Sequence, residues 1–296
     1  MTPIRSVLVT VGVAFLVLAA SGTAPAKSPV PGAPQPLNLL DPNFRWVVAH
    51  PHIYNIFWDD KWTRHNSWSR HDVDLATKRI VDNGYFDKLA QYGVSSPSWQ
   101  GSHSPSVLCQ PRRAPKTVSF PALLKWMSCE VSTLFSQSRF PVSDDLFVLY
   151  LPERTTIVDG PSIGSFSILG HAFPGLTVPL FTSCADYDGY HFFSMSVTGP
   201  FAYAIVPAAC AKGSLDALTT TASHELVEAA TDPIVTQGWI DDAFSIAPPA
   251  FERLLKGEAG DICSSSGTKP TQPASLGQPP VSVARYWSNS DGACKP

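Results

Sequence analysis

No run of clustered lysine and arginine with interleaved aromatic side chains occurs in the chain, and charged residues make up only 15% of it. With 21 basic and 24 acidic residues, the formal net charge is −3 at pH 7. That balance projects no broad field of either sign, which removes nucleic acid and anionic membrane surfaces as expected partners. None of the six cysteines stands in a CxxC pair, which argues against a cysteine-ligated zinc. No cysteine follows the N-terminal apolar run closely, so a lipid anchor there is not expected. There is no internal repeat.

That apolar run, Val7–Ala20, is shorter than the roughly 20 residues that span a bilayer. It follows Arg5 and precedes the small residues "APA" at 24–26. This order of charge, apolar core and small residues is that of a secretory signal peptide, so residues 1–26 are read as one and the mature chain as secreted, with no stable membrane insertion. An even number of cysteines in an exported chain favours disulfides. Pairing neighbours in chain order closes the shortest loops: Cys109–Cys129, Cys184–Cys210 and Cys263–Cys294. Residues 27–43, "KSPVPGAPQPLNLLDPN", are proline-rich and read as an extended tether. The remaining stretch, 44–296, is long and apolar enough for one domain with a sizeable core.

"RWVVAHPHIYNIFW" has strand composition interrupted by Pro51, and "DVDLATKRIVDNGYFDKLAQYG" has helical spacing with a break at Gly84. "FPALLKWMSCEVSTLFSQ" predicts a second helix. "DLFVLYLPE", "GYHFFSMSV" and "FAYAIVPAA" predict strands. The last leads to Ser214, a good N-cap, and to a third helix, "LDALTTTASHELVEAAT", with Pro233 beyond its end. The expected class is α+β, with a twisted mixed sheet packed on helices and a loop-rich, disulfide-pinned C-terminal part.

On the third helix His224 and Glu228 are four residues apart and share a face, so two donors can reach one cation; Glu225 projects beside them. In HExxH proteases the corresponding helix supplies two zinc ligands and a general base that takes a proton from an activated water. A chain of this composition contains H-[D/E]-x-x-[D/E] by chance roughly 0.05 times. The same residues would also suit the solvated face of an amphipathic helix. Carboxylates downstream offer a third ligand: Glu258 and Asp261 in "GEAGDIC", Asp241 and Asp242 in "GWIDD".

Four segments, "SHELVEAATDP", "GW" with its nearby aspartate, "GEAGDIC" and "YWSNSDGAC", resemble a group of secreted bacterial and fungal proteins and, more distantly, the plant phosphate-induced, EXORDIUM-type family. The HELxE helix is similar to that of zincin metallopeptidases. The resemblance is specific over 201–296, the metal-site half, and looser before it. It implies a zincin-like domain over 44–296, with the metal-site helix following an edge strand. It implies one Zn2+ per chain held by His224, Glu228 and Asp261, with Glu225 as base and an extracellular protein or peptide as substrate. The chain is expected to act as a monomer. The alternative is a non-catalytic extracellular protein that uses the metal as a staple and binds a cell-wall or surface partner. Glutamate in place of the second histidine puts two carboxylates on the ion, so a dication keeps little net charge and activates water less.

Other motifs are weaker. "GPSIG" (160–164) matches a nucleophile elbow around Ser162 but lacks a helix after it and reads as a turn. His191, flanked by aromatics, reads as a core histidine. His50 and His52 could pair on a metal, but Pro51 suggests a strand edge. His65 and His71 read as surface residues. The aromatic stretch "YNIFWDDKWTRHNSW" reads as core or a sheet edge before it reads as a substrate groove.

Overall fold

The computed structural model of the chain describes residues 37–39, 46–62, 66–135, 144–158, 182–196, 199–234, 238–241, 257–264 and 271–296. All fall within the unit Pro34–Pro296. The segment read as a signal peptide and Ser162 lie outside the described residues. Thirteen strands are formed among the described residues. They are β1 (Leu37–Leu39), β2 (His52–Phe57), β3 (Ser98–His103), β4 (Thr117–Ser119), β5 (Asp145–Leu151), β6 (Thr156–Val158), β7 (Tyr190–Ser196), β8 (Gly199–Pro207), β9 (Trp239–Asp241), β10 (Ala274–Leu276), β11 (Val281–Val283), β12 (Tyr286–Ser288) and β13 (Ala293–Lys295). The α-helices among the described residues are α1 (Arg70–Asp82), α2 (Phe120–Phe135) and α3 (Leu215–Thr231).

The fold is mixed α+β. Its main sheet is mixed, with order β3-β2-β5-β8-β7; the first four strands are parallel and β7 is antiparallel to β8. All seven residues of β5 are buried, as expected for a strand covered on both faces. Alternation along β5 and β8 sorts their side chains into two cores. Leu146, Val148, Ala204 and Val206 pack with Ile80 of α1 and Leu218 and Leu226 of α3. Phe147, Leu149, Tyr203 and Ile205 pack with Leu123, Trp126 and Met127 of α2. In the aromatic stretch Tyr54, Phe57, Trp58 and Trp62 are buried, so they build the core and line no groove.

The expected position of the site helix is corrected in one respect. The strand before α3 is β8, which is interior, flanked by β5 and β7; the edge is β7. Residues 201–207 are all buried, and such a continuous apolar run needs a neighbour on each side. At the other end of the chain, Leu37–Leu39 of the stretch read as a tether pair antiparallel with Trp239–Asp241.

Local signals account for the helix ends. Ser69 and Asp72 form a capping box on α1, and Ser214 Oγ accepts from Ala217 N at 3.2 Å on α3. The C-terminal hairpins are sewn onto α3 and its surroundings. Ala284 N donates to Ser223 Oγ (2.8 Å), Tyr85 OH donates to the Ala284 carbonyl (2.9 Å), and Trp287 N donates to the Ala259 carbonyl (2.8 Å). The three disulfides join cysteines in chain order, Cys109–Cys129, Cys184–Cys210 and Cys263–Cys294. Among the described residues no helix is long and apolar enough to cross a membrane.

Candidate metal centre

Helix α3 turns one side toward the core through Leu218, Ala222, Leu226 and Ala229, all at 0% exposure. Its other long side chains are then carried beneath β7 and the loop 257–264. That loop is held in place by three links. Asp241 N donates to the Gly257 carbonyl, Trp287 N to the Ala259 carbonyl, and Cys263 is bonded to Cys294. The result is a buried acidic pocket: Glu225, Glu228 and Glu258 are 5%, 2% and 3% exposed.

His224 Nε2 lies 3.2 Å from Glu228 Oε1 and 3.3 Å from Asp261 Oδ1. These three residues bring one ligand atom each within 4.8 Å of the others, a spacing that could hold a metal ion. Glu228 Oε1 also accepts from Asp261 N at 3.0 Å, which ties helix and loop together and orients the carboxylate, as supporting hydrogen bonds do around metal ligands. Gly260 makes the approach possible. A Cβ there would stand 2.8 Å from His224 Nδ1 and 2.9 Å from Glu228 Oε1.

A second group lies on the other side of Glu228. His191, on β7, Glu228 and Glu258 also bring ligand atoms within 4.8 Å of one another. His191 Nδ1 is 3.4 Å from Glu225 Oε2 and 3.4 Å from Glu228 Oε2, and its Nε2 is 3.7 Å from Glu258 Oε1. Glu225 is packed under Gly189, where a Cβ would collide with Glu225 Oε1 and with Thr221.

The electrostatics follow from this crowding. Burial works against charge on His224 and His191, yet both are held well above the usual imidazole range because the carboxylates facing them outweigh it. Burial would raise Glu228, but the two imidazoles on either side hold it below the usual carboxylate range. Burial pushes Glu225 up, pushes Glu258 well up, and, with Glu228 adding repulsion, pushes Asp261 up to about 7. Protons thus compete for the lone pairs that a cation would use.

The structure therefore brings together His224, Glu225, Glu228, Asp261 and Glu258 of the residues singled out in the sequence. Asp241 is 7% exposed and belongs to neither ligand group, and Asp242 lies outside the described residues. His50 is exposed and His52 Nδ1 lies 3.2 Å from Asp145 Oδ1, apart from both groups. The residue that sequence reading missed is His191. It is buried as expected, but among carboxylates; the available signal was its place on a strand next to β8, the strand that feeds the site helix. The chain matches no protein-family model, no curated protein and no solved structure.

Proposed function

We propose that the chain is a secreted zinc-dependent peptidase, zincin-like in its site helix, with the cation held by His224, Glu228 and Asp261 and Glu225 as the general base. The observation that carries this reading is the convergence of His224 Nε2 on Glu228 and Asp261. The side chains of His224 and Asp261 keep 18% and 20% exposure, so a peptide can reach the side of the site opposite the core. A bound dication would supply Lewis acidity, lowering the pKa of a water and polarising a scissile carbonyl. Glu225 would take that water's proton as its oxygen adds to the carbonyl carbon, and would give the proton to the amine nitrogen as the C–N bond breaks. Its burial raises its pKa, in the direction a general base near neutral pH requires. Gly189 and His191 hold its carboxylate in place.

The test separates two glutamates three residues apart. Glu225→Gln keeps size and loses the basic oxygen; turnover of a peptide library should fall by ~10²–10⁴ with metal content unchanged. Glu228→Gln should lower metal content itself. Wild type that holds metal yet shows no chelator-sensitive hydrolysis would sink the peptidase reading. One observation favours the alternative, a non-catalytic, EXORDIUM-like extracellular protein with a structural metal: Glu225 is only 5% exposed beneath Gly189. On that reading both variants change stability and neither changes a rate.

A further inference from the structure

The pocket contains more carboxylate than one cation can neutralise. Glu225, Glu228, Glu258 and Asp261 would carry four negative charges together, and three of them are at most 5% exposed. Once cations have displaced the protons from both imidazoles and all four carboxylates, one dication leaves two negative charges in this buried site and two dications leave none.

The geometry around His191 agrees with this count. His191 Nε2 lies 3.2 Å from the Asp232 carbonyl oxygen. A carbonyl can only accept, so Nε2 carries the hydrogen. In the neutral ring the Nδ1 lone pair then points at Glu225 Oε2 and Glu228 Oε2, both 3.4 Å away. Acceptors turned toward one another need a proton or a metal ion between them, and a dication bound there would take the proton's place. A ring N–H given to a backbone carbonyl, with the other nitrogen facing acidic oxygens, is the usual arrangement of a metal-ligating histidine. Glu258 supplies an independent sign: it is 3% exposed, and its Oε1 has no hydrogen-bond partner among the described residues.

We propose that the chain binds a second divalent cation at His191, Glu228 and Glu258, and that Glu228 bridges the two ions, Oε1 toward His224 and Asp261 and Oε2 toward His191. The proposal rests on reading the first group as a cation site, and it makes the centre a two-metal one, the class that clamps both attacking and departing atoms in hydrolysis. Glu225, beside His191, then lies at the second ion as well as near the first.

The test is metal stoichiometry of the full, oxidised chain after dialysis against Zn2+, together with electron paramagnetic resonance of the Mn2+-loaded protein. Two ions per chain are expected, with an exchange-coupled Mn2+ signal that requires a shared bridge. His191→Ala and Glu258→Gln should each reduce two ions to one and abolish the coupling; His224→Ala should do the same from the other side. One ion in wild type, lost with His224→Ala but kept in His191→Ala and Glu258→Gln, overturns the second site and leaves the peptidase reading intact. One ion lost in all three variants also overturns it, since a single ion would then be shared by both groups. Two ions without exchange coupling overturn the bridge. Two coupled ions without any hydrolysis sustain the two-metal centre and defeat the peptidase reading instead. Should His191→Ala fail to fold by near-ultraviolet circular dichroism, the wild-type count, the coupling and Glu258→Gln still decide.

Discussion

Gly260 shows how a single residue controls the site. Its φ is −74°, a value any residue adopts, so a side chain there would meet no backbone penalty. The obstacle is the ligand pair, 2.8–2.9 Å from where a Cβ would sit. Gly260→Ala should therefore fold normally and weaken metal affinity by roughly 10–100-fold, the size of losses seen when groups supporting metal ligands are disturbed. Competition titration with a chromophoric chelator measures this; unchanged affinity would mean that the loop does not lie this close over His224. Away from the candidate ligands, Glu130 on α2 is a single residue that should set a pH dependence of stability. It is 2% exposed, and burial pushes its carboxyl up to about 7, against the Ser106 N–H and Arg112, which favour its charged form. A carboxyl whose folded pKa is raised above its unfolded value stabilises the protein below the unfolded pKa, and that contribution is lost as pH rises through the folded one. Relative to Glu130→Gln, wild type should thus lose about 3 kcal/mol between pH 4.5 and pH 8 in urea unfolding. A difference that stays flat across this window would show Glu130 to be solvated.

Among the elements, the loop 257–264 matters more to the site than its short 3-10 turn suggests. It contributes Glu258, Gly260 and Asp261, and it has no extended ladder of its own. The Cys263–Cys294 bond closes it against β13, whereas Cys109–Cys129 joins a surface turn to α2. Each bond should contribute about 2–4 kcal/mol to stability. Replacing the pair Cys263 and Cys294 by alanine should also lower metal affinity, while replacing Cys109 and Cys129 should lower the melting temperature alone. Equal effects of both double variants on metal binding would remove the special role of this loop.

At the scale of the whole molecule, β7, α3 and the loop 257–264 meet only because the sheet, both cores and the C-terminal hairpins are in place. The cation should therefore stabilise the entire fold. At a free concentration 100 times Kd the gain is about 2.7 kcal/mol. Chelation should lower the melting temperature in a single cooperative transition, and the shift should disappear in His224→Ala. A chelator that leaves the wild-type melting temperature unchanged would argue against cation binding to the native state.

What could be read along the chain was local. The span of α3, its Ser214 cap and the shared face of His224 and Glu228 follow from a period of 3.6 and from hydrogen bonds that close within a few residues. The break after α1, the buried strand β5 and the pairing of neighbouring cysteines likewise depend on short separations, where chain entropy limits the choices. Asp261, 33 residues beyond Glu228, was legible through resemblance rather than spacing. Glu258 was singled out in the sequence as another candidate third ligand, but its grouping with His191, and the double character of the pocket, were decided only in three dimensions. Which strand occupies the sheet edge depends on hydrogen bonding between β7 and β8 and on the burial of β8 from both sides. That choice turns an aromatic-flanked histidine toward Glu225 and Glu228, and no periodicity records it, because a charge on one element has no local preference for a charge on another until packing excludes the water between them.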